Sequence, residues 1–309
     1  MKHVIALDVG GTGMKAALIA PDGMPLYEDR RPTPREQGTD AVVASILDFA
    51  AELRCEGERR YGSPAEAAGV VVPGTVDEQR GIAVFSATLG WRDLPLRALL
   101  TERLDLPVAL GHDVRTGALA EGRLGAGRGI DRFLFIAIGT GIAGGISLGG
   151  AIEAGAHGFA GEIGHMIVRP GGPACGCGAN GCLETVASAA AVTRAWQAAS
   201  DDPRATAADC AAAVDAGDPR ALMVWHDALA ALADGIVVAQ SLLDPHSVVI
   251  GGGLAEAGET LFTPLRAAVA ERLTFQMPPA LVPAMLKDTA ACLGAGFLAW
   301  DLLFMEMDD

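Results

Sequence analysis

Three short apolar runs, each ending in a cluster of glycines, constrain the fold of this sequence more than any other feature. A glycine that follows a strand lets the backbone turn tightly and present its N–H groups to an anion at close range. One such turn is most often only a hairpin tip, but three turns in the same context predict that the chain binds phosphate groups. The three pairs of run and cluster are Val4–Val9 with Gly10-Gly11-Thr12-Gly13, Arg132–Ile138 with Gly139-Thr140-Gly141, and Ser247–Ile250 with Gly251-Gly252-Gly253.

The first two glycine turns stand in the same local pattern, which is a strand, the turn and a second strand. The returning strands are Met14–Ala20 and Ala143–Leu148. Elsewhere helical and strand patterns alternate, as is typical of an α/β protein. We therefore predict two halves of similar topology, which at about 150 residues per domain suits a chain of 309 residues. The predicted division is a small domain, 1–112, onto which a C-terminal helix, 294–309, packs back, and a large domain, 113–293.

The charge balance argues against whole classes of partner. Lys and Arg total 23 against 38 Asp and Glu, and the formal net charge of −15 opposes non-specific binding to nucleic acid and to anionic membranes.

No uninterrupted apolar stretch approaches the roughly 18 residues that span a membrane, and Asp8 follows the first apolar run too early for a secretory signal. We expect a cytoplasmic protein that has neither a nucleic-acid nor a membrane partner.

One histidine and three cysteines, His165, Cys175, Cys177 and Cys182, form a second kind of motif. Nine, one and four residues separate them in turn, and one nitrogen with three sulfurs is a donor set that suits tetrahedral zinc. A disulfide is the alternative, but a reducing cytosol disfavours it. Four protein ligands leave no open position for water, so the predicted zinc is structural and holds the glycine-rich loop 165–182 in place.

The order of these motifs resembles that of the ROK family of sugar kinases and related repressors, in the actin-like/hexokinase superfamily, over nearly the whole chain. The most specific part is Gly161-Glu162-Ile163-Gly164-His165, followed by the three cysteines. The resemblance implies an α/β fold of the two-domain actin-like ATPase (ribonuclease H-like) type with an interdomain cleft. It also implies ATP-dependent phosphorylation of a hexose at its 6-hydroxyl, with glucose as the first expectation, by a homodimer or homotetramer.

The resemblance assigns the nucleotide side of the site to the glycine turns. Asp8, at the end of the first strand, is expected to hold Mg²⁺ through water, since this ion keeps much of its hydration shell. A buried, hydrogen-bonded aspartate is the alternative for Asp8, and a solvated strand residue is the alternative for Lys15. The residues expected to bind ATP are Asp8, Gly10, Gly11, Thr12 and Lys15, with Gly139, Thr140 and Gly141 in the second phosphate motif and Gly251, Gly252 and Gly253 in the adenosine motif.

On the sugar side, Asp113 matches the aspartate of the family's Glu-Asn-Asp motif, which is the general base toward the sugar hydroxyl. In a loose phosphoryl-transfer transition state such a carboxylate orients the hydroxyl and accepts its proton late. The alternative is that Asp113 only caps a helix that begins there. Glu162, His165 and Glu184 match residues that contact sugar hydroxyls, and His165 would use its second ring nitrogen for zinc. A surface position for Glu162 and a helix cap for Glu184 are the alternatives.

Two departures from the family pattern leave the identity of the hexose open. His112 stands where the motif has Asn before the base, and Thr88 stands where the family has Asn in the segment before Gly90-Trp91. Both side chains can donate and accept hydrogen bonds, so we expect both to bind sugar with altered geometry. N-acetylmannosamine and mannose are therefore alternatives to glucose, and polyphosphate is an alternative donor to ATP.

Two other functions are compatible with the resemblance. A sugar-responsive repressor would carry an N-terminal helix-turn-helix, and the first strand begins at about residue 3, which leaves no room for one. A sugar sensor without catalysis would not need the retained Asp113, Glu162 and Glu184. The alanine-rich segment between Ser188 and about Leu243 is predicted to be helical, and it would provide an oligomer contact unless it is buried in the core.

Overall fold

The structure, a computed structural model, describes residues 1–305 of the chain. Residues 306–309, the end of the predicted helix 294–309, lie outside the described residues. The strands are β1 (Val4–Val9), β2 (Gly13–Ile19), β3 (Pro25–Pro32), β4 (Ala68–Val72), β5 (Thr75–Asp77), β6 (Ile82–Phe85), β7 (Arg92–Leu94), β8 (Val108–His112), β9 (Phe133–Ile138), β10 (Ile142–Leu148), β11 (Ala151–Glu153), β12 (Ser247–Gly251) and β13 (Ala280–Pro283). The helices are α1 (Thr39–Tyr61), α2 (Leu96–Leu104), α3 (Asp113–Leu124), α4 (Leu183–Ala187), α5 (Ala189–Ser200), α6 (Ala207–Asp215), α7 (Pro219–Leu243), α8 (Glu259–Arg272) and α9 (Ala290–Met305).

The chain divides into two compact units, neither of which is continuous in sequence. The first unit comprises Met1–Ala120, Ala154–Ala160 and the described chain from Asp288 onward, and the second comprises Glu121–Glu153 and Gly161–Lys287. Compared with the predicted division into 1–112 plus 294–309 and 113–293, the first unit additionally holds 113–120, 154–160 and 288–293.

The first unit is built on a five-stranded mixed sheet in the order β3-β2-β1-β4-β8. Strands β1, β2 and β3 are antiparallel, whereas β1, β4 and β8 are parallel. Helices α1 and α2 bury Phe49 and Leu100 together with the residues Ile5 and Leu7 of β1. Because side chains alternate along a strand, the other face of β1 is available to α9, whose Cys292 thiol donates to the carbonyl of Ala6.

The second unit repeats the same arrangement. Its sheet has the order β11-β10-β9-β12-β13, with β9, β10 and β11 antiparallel and β9, β12 and β13 parallel. The predicted repeat of strand, glycine turn and strand is thus confirmed at the level of topology. The α/β fold class is confirmed as well.

The alanine-rich segment is helical, as predicted, and it is divided into separate helices. It breaks after α5, where Asp201 adopts a left-handed conformation and Pro203 follows, and again at Gly217, which has φ of +78°. Asp218 then caps α7 and Pro219 occupies its first position, a common start for a helix. The result is three helices, and α5 and α6 pack against α7 in the core of the second unit.

Two helical stretches, Pro219–Leu243 and Lys287–Met305, are long and apolar enough to cross a membrane by length and composition. In this fold 50% and 44% of their most apolar windows are buried inside the protein. Core helices of globular proteins pass the same test, so this composition fits their place in the two cores. The absence of membrane and nucleic-acid partners stays an expectation.

Candidate functional site

In the first unit, the predicted nucleotide and sugar residues lie at one edge of the parallel part of the sheet. Asp8 on β1 pairs in register with Val71 on β4, and Val71 pairs with Gly111 on β8. Asp113 begins α3 directly after β8. Since neighbouring strands are about 4.8 Å apart, the backbones at Asp8 and Gly111 are about 10 Å apart. Ligands of α/β proteins bind outside the carboxyl ends of such strands, so Asp8 and Asp113 share one candidate ligand-binding edge.

The tip of the β1–β2 hairpin carries Gly10, Gly11 and Thr12, and hydrogen bonds hold its backbone. The N–H of Gly10 donates across the turn (2.9 Å), and the hydroxyl of Thr33 donates to the carbonyl of Gly10 (2.6 Å). Gly11 lies against the exposed Thr88. The approach is so close that a Cβ built on Gly11 would be 2.3 Å from Thr88 Cγ2. A predicted phosphate turn and a predicted sugar residue are therefore neighbours.

Asp8 is mostly buried, with 13% of its side chain exposed. Burial raises the pKa of Asp8 to about 6, and the ammonium group of Lys15, 3.8 Å from Asp8 Oδ2, opposes that rise. Lys15 also donates to the carbonyl of Asp288 and lies 3.6 Å from the Asp288 carboxylate, which pairs with Arg30. The structure therefore makes Lys15 an ion partner of two carboxylates, and its contact with phosphate stays a prediction.

At the junction between β8 and α3, the side chains of both His112 and Asp113 accept backbone N–H groups of the first helical turn. The ring Nδ1 of His112 accepts the backbone N–H of Arg115 (3.3 Å), three residues further on, as an N-cap side chain does. His112 is 5% exposed, and burial, followed by the charge of Arg115, lowers its pKa to about 3. The ring is neutral, so its 3.5 Å approach to Asp113 Oδ1 is not a salt bridge. Asp113 Oδ1 accepts the N–H of Val114 (2.7 Å).

Two residues that sequence analysis did not identify, Glu78 and Arg115, adjoin this junction. Arg115 lies in the first turn of α3, and its guanidinium pairs with Glu78 at 2.7 Å. Arg115 is the only charged residue between Asp113 and Glu121 in the sequence. A lone charge in this apolar stretch could have identified Arg115 as a candidate functional residue. Glu78 lies in a turn after β5 and has no such signal.

In the second unit, two glycine turns lie at the carboxyl ends of neighbouring parallel strands. The turn Gly139-Thr140-Gly141 follows β9, and Gly251 at the end of β12 pairs in register with Ala137 of β9. Gly252 has φ of +82°, and a Cβ there would be 2.4 Å from the carbonyl oxygen of Ile138, so only glycine fits. The structure thus brings together the predicted second phosphate motif and the predicted adenosine motif, which continues to Gly253.

The predicted sugar residues of the second unit form one cluster beside the phosphate turn. A Cβ built on Gly141 would be 2.8 Å from Glu184 Oε2. The other carboxylate oxygen of Glu184, Oε1, is 3.6 Å from His165 Nδ1, and His165 Nε2 lies 3.8 Å from Glu162 Oε2. Glu184 lies within α4, whose N-cap position is Cys182, so the helix-cap alternative for Glu184 is wrong.

The four predicted zinc ligands also come together. One ligand atom from each of His165, Cys175, Cys177 and Cys182 lies within 4.8 Å of all the others. Cys175 Sγ is 3.6 Å from His165 Nδ1, and Cys177 Sγ is 3.7 Å from Cys182 Sγ. A tetrahedral zinc ion with bonds of about 2.0 to 2.3 Å separates its ligand atoms by about 3.5 to 3.8 Å. The donor set and its spacing therefore fit this metal, and the cysteines are not joined by a disulfide.

A partly exposed ion network anchors this cysteine loop to the helices behind it. Arg169, within the loop, donates to Asp234 of α7 (2.7 Å), and Arg272 of α8 donates to the other oxygen of the same carboxylate (2.7 Å). The backbone N–H of Arg169 donates to the carbonyl of Gly181 across the loop (3.0 Å). Sequence analysis missed this network, because its members lie far apart in the chain.

Known proteins resemble the chain over nearly its whole length. The family model described as ROK family matches residues 4–301. A glucokinase of Halalkalibacterium halodurans is 34% identical over 95% of this chain and 94% of its own length. An N-acetylmannosamine kinase of Escherichia fergusonii is 32% identical over 96% of this chain and 97% of its own length.

Solved structures show the same similarity in three dimensions. A ROK hexokinase from Thermus thermophilus has a TM-score of 0.86 and 35% identity, with coverage of 98% of this chain and 99% of that chain. A ROK family glucokinase from Streptomyces griseus, in complex with glucose and AMPPNP, has a TM-score of 0.84 and 30% identity, with coverage of 97% and 99%.

Proposed function

We propose that this chain, which belongs to the ROK family, is an ATP-dependent sugar kinase. It phosphorylates a hexose at the 6-hydroxyl, and glucose is its principal substrate. The observation that carries the proposal is the common strand edge in the first unit. There the glycine tip after Asp8, a typical phosphate-binding element, and the carboxylate of Asp113 follow the ends of β1 and β8, which belong to the parallel part of one mixed sheet.

Asp113 is the proposed general base. The ring of His112 accepts a first-turn N–H of α3, so the start of this helix has a capping side chain besides Asp113. In the reaction, the Asp113 carboxylate would align the 6-hydroxyl with the γ-phosphoryl group of ATP and accept the hydroxyl proton as the new bond forms. Loss of a general base costs about 100- to 10,000-fold in rate.

The glycine turns are the proposed ATP site. Gly10, Gly11 and Thr12 in the first unit, and the turns 139–141 and 251–253 in the second, would present backbone N–H groups to the nucleotide. Asp8 is an oxygen donor at a strand end, which fits magnesium, and it would hold the hydrated ion through water. Magnesium, when bound, offsets the charge of the phosphate oxygens. Lys15, held beside Asp8, would keep that carboxylate ionised and in place.

The proposed sugar contacts are Glu162, His165, Glu184, Thr88 and His112. Carboxylates accept hydrogen bonds from sugar hydroxyls, and the exposed Thr88 can both donate and accept. His112 would act as a donor through Nε2, since Nδ1 accepts the Arg115 N–H. His165 would bind structural zinc through Nδ1, which faces the cysteines, and direct Nε2 to the sugar beside Glu162.

Release of ADP with a panel of sugars tests the function. We expect glucose to give the highest kcat/KM with ATP, and Asp113→Asn to lower turnover at least about 100-fold while glucose binding, measured by calorimetry, is kept. Near-parental turnover of Asp113→Asn would remove this residue from its role. Absence of sugar-dependent ADP release with every sugar would overturn the kinase proposal.

N-acetylmannosamine kinase is the second candidate function. The similarity to an N-acetylmannosamine kinase at 32% identity favours it, as do the departures at Thr88 and His112 from the family pattern. The same panel decides between the two sugars, and replacing ATP with polyphosphate identifies the donor.

We further propose a cytoplasmic homodimer or homotetramer. Helix α7 carries exposed apolar side chains, including Met223 and Leu242, which are 76% and 77% exposed. These lie within the alanine-rich segment expected to provide an oligomer contact. Sedimentation of the parent and of Leu242→Glu tests this proposal, and a parent that sediments as a monomer at micromolar concentration would contradict it.

A further inference from the structure

We propose that Glu78 and Arg115 are positioning residues of the phosphoryl-transfer site, which together fix the direction of Asp113 and the chain segment that leads to Glu162. The inference rests on the proposed function and names residues to which that function assigns no role. It starts from the hydrogen bonds of a single guanidinium group.

Arg115 uses its guanidinium group to join two places in the first unit. Its Nε–H and Nη2–H donate to Glu78 Oε1 (3.2 and 2.7 Å), and its Nη1–H donates to the carbonyl of Gly158 (2.8 Å). Only 4% of the Arg115 side chain is exposed. A planar guanidinium with several fixed donors can hold two acceptors in a set geometry, whereas an ammonium group is a point charge.

Glu78 holds the chain on both sides of Asp113. The same oxygen that binds Arg115 also accepts the backbone N–H of His112 (3.3 Å). His112 in turn accepts the backbone N–H of Arg115. The residues before and after the proposed base are thus tied to one carboxylate, and the peptide planes that set the direction of the Asp113 side chain are held between them.

Gly158 extends this control toward the sugar residues. It lies in the segment Ala154–Ala160, which belongs to the first unit although the chain on both sides belongs to the second. The segment is compact, with the N–H of Ala160 donating to the carbonyl of Ala154 (3.1 Å). Glu162 follows it by two residues. A shift at Gly158 therefore moves one end of the short connection to Glu162.

The competing explanation is that the buried Arg115 and the partly exposed Glu78 form an ion pair with no role in catalysis, and kinetics separates the two explanations. Removing one partner of a buried pair destabilises a protein whatever its function. A purely structural pair would lower the melting temperature and leave the kinetics of the folded fraction unchanged. A positioning pair would change kcat and the KM for sugar in protein that is fully folded, because a misplacement of about 1 Å costs on the order of 100-fold.

The test compares Arg115→Lys, Glu78→Gln and a matched control, Arg54→Lys. Arg54 also joins a carboxylate, Glu58, and a backbone carbonyl, that of Leu104, in the first unit, but at α1 and α2. Each variant is assayed well below its melting temperature for kcat and for the KM of sugar and of ATP. Hydrogen exchange of the segment 154–160 is measured in parallel.

We expect Arg115→Lys to lower kcat about 10- to 100-fold, to raise the KM for sugar more than that for ATP, and to speed exchange in 154–160. Glu78→Gln should lower kcat with less effect on hydrogen exchange in 154–160, since the Arg115–Gly158 hydrogen bond remains. If Arg115→Lys does not fold, the kinetics of Glu78→Gln test the inference. Arg54→Lys should match the parent in kinetics. Parental kinetics in folded Arg115→Lys and Glu78→Gln would overturn this inference alone, whereas a parent without sugar-dependent ADP release would overturn the proposed function first.

Discussion

Burial of His112 predicts how the stability of the protein depends on pH. Burial first, and then the charge of Arg115, lowers the pKa of His112 from 6.5 to about 3 in the folded protein. Below pH 6.5 the unfolded chain binds a proton on this ring, whereas the folded chain does not until about pH 3. The stabilisation is therefore fully present above pH 6.5 and is lost as the pH falls toward 3. Linkage gives a loss of about 1 kcal/mol at pH 5.5 and about 2 kcal/mol at pH 5.0, relative to pH 8.

Urea unfolding of the parent and of His112→Asn at pH 8.0 and pH 5.5 measures this loss. Asparagine can still cap α3 but cannot take up a proton. The drop in unfolding free energy between the two pH values should therefore be smaller in His112→Asn than in the parent by about 1 kcal/mol. His226→Asn, at an exposed position of α7, controls for the loss of a histidine and should keep the parental drop. Equal drops in the parent and His112→Asn would refute the assignment of a buried, neutral ring.

Three further substitutions test other contacts. Gly11→Ala should raise the KM for ATP about 10-fold, because the added Cβ would lie 2.3 Å from Thr88 Cγ2. The second substitution Thr88→Ser removes that methyl group and should bring the KM part of the way back. An unchanged KM in the double variant would contradict the contact. Asp234→Asn should lower the free energy of unfolding by about 1 to 3 kcal/mol, measured by thermal melting. The substitution removes the negative charge and so weakens the hydrogen bonds that Arg169 and Arg272 donate to this side chain. Cys182→Ser should lower the zinc content of purified protein from one ion per chain to none, measured by elemental analysis, and an unchanged content would contradict the proposed ligand set.

The strand and turn pattern could be predicted because each instance is encoded in about ten consecutive residues. The glycines after β1, β9 and β12 fall where an apolar run ends, and the repeated topology follows from the order of these runs. The grouping of His165, Cys175, Cys177 and Cys182 could be predicted for the same reason, since the four residues lie within one short loop, and zinc at this group stays a prediction. The breaks at Asp201 and Gly217 were also local, with proline close behind each of them, and were predictable from the sequence.

Contacts between distant parts of the chain could not be predicted in this way. Glu78 meets Arg115 across 37 residues, and neither residue carries a pattern that identifies the other. The cap of α3 depends on a similar fact. Aspartate is a common cap, so a capping role for Asp113 was predictable. That His112 also accepts a first-turn N–H was not, because its ring is an acceptor only while burial keeps it neutral, and burial is a property of the whole fold.

The discontinuous first unit has a practical consequence for dissecting this protein. Within the described residues, the chain passes from one unit to the other after residues 120, 153, 160 and 287. A fragment that stops at Ala120 would lack α9. The face of the sheet at Ala6 would then be exposed to water, and the carbonyl of Ala20 would lose the hydrogen bond that it accepts from the indole N–H of Trp300. The two main parts of the first unit, 1–120 and 288–305, therefore have to be joined through a linker if this unit is to be made without the second, and simple truncation leaves one face of its sheet uncovered.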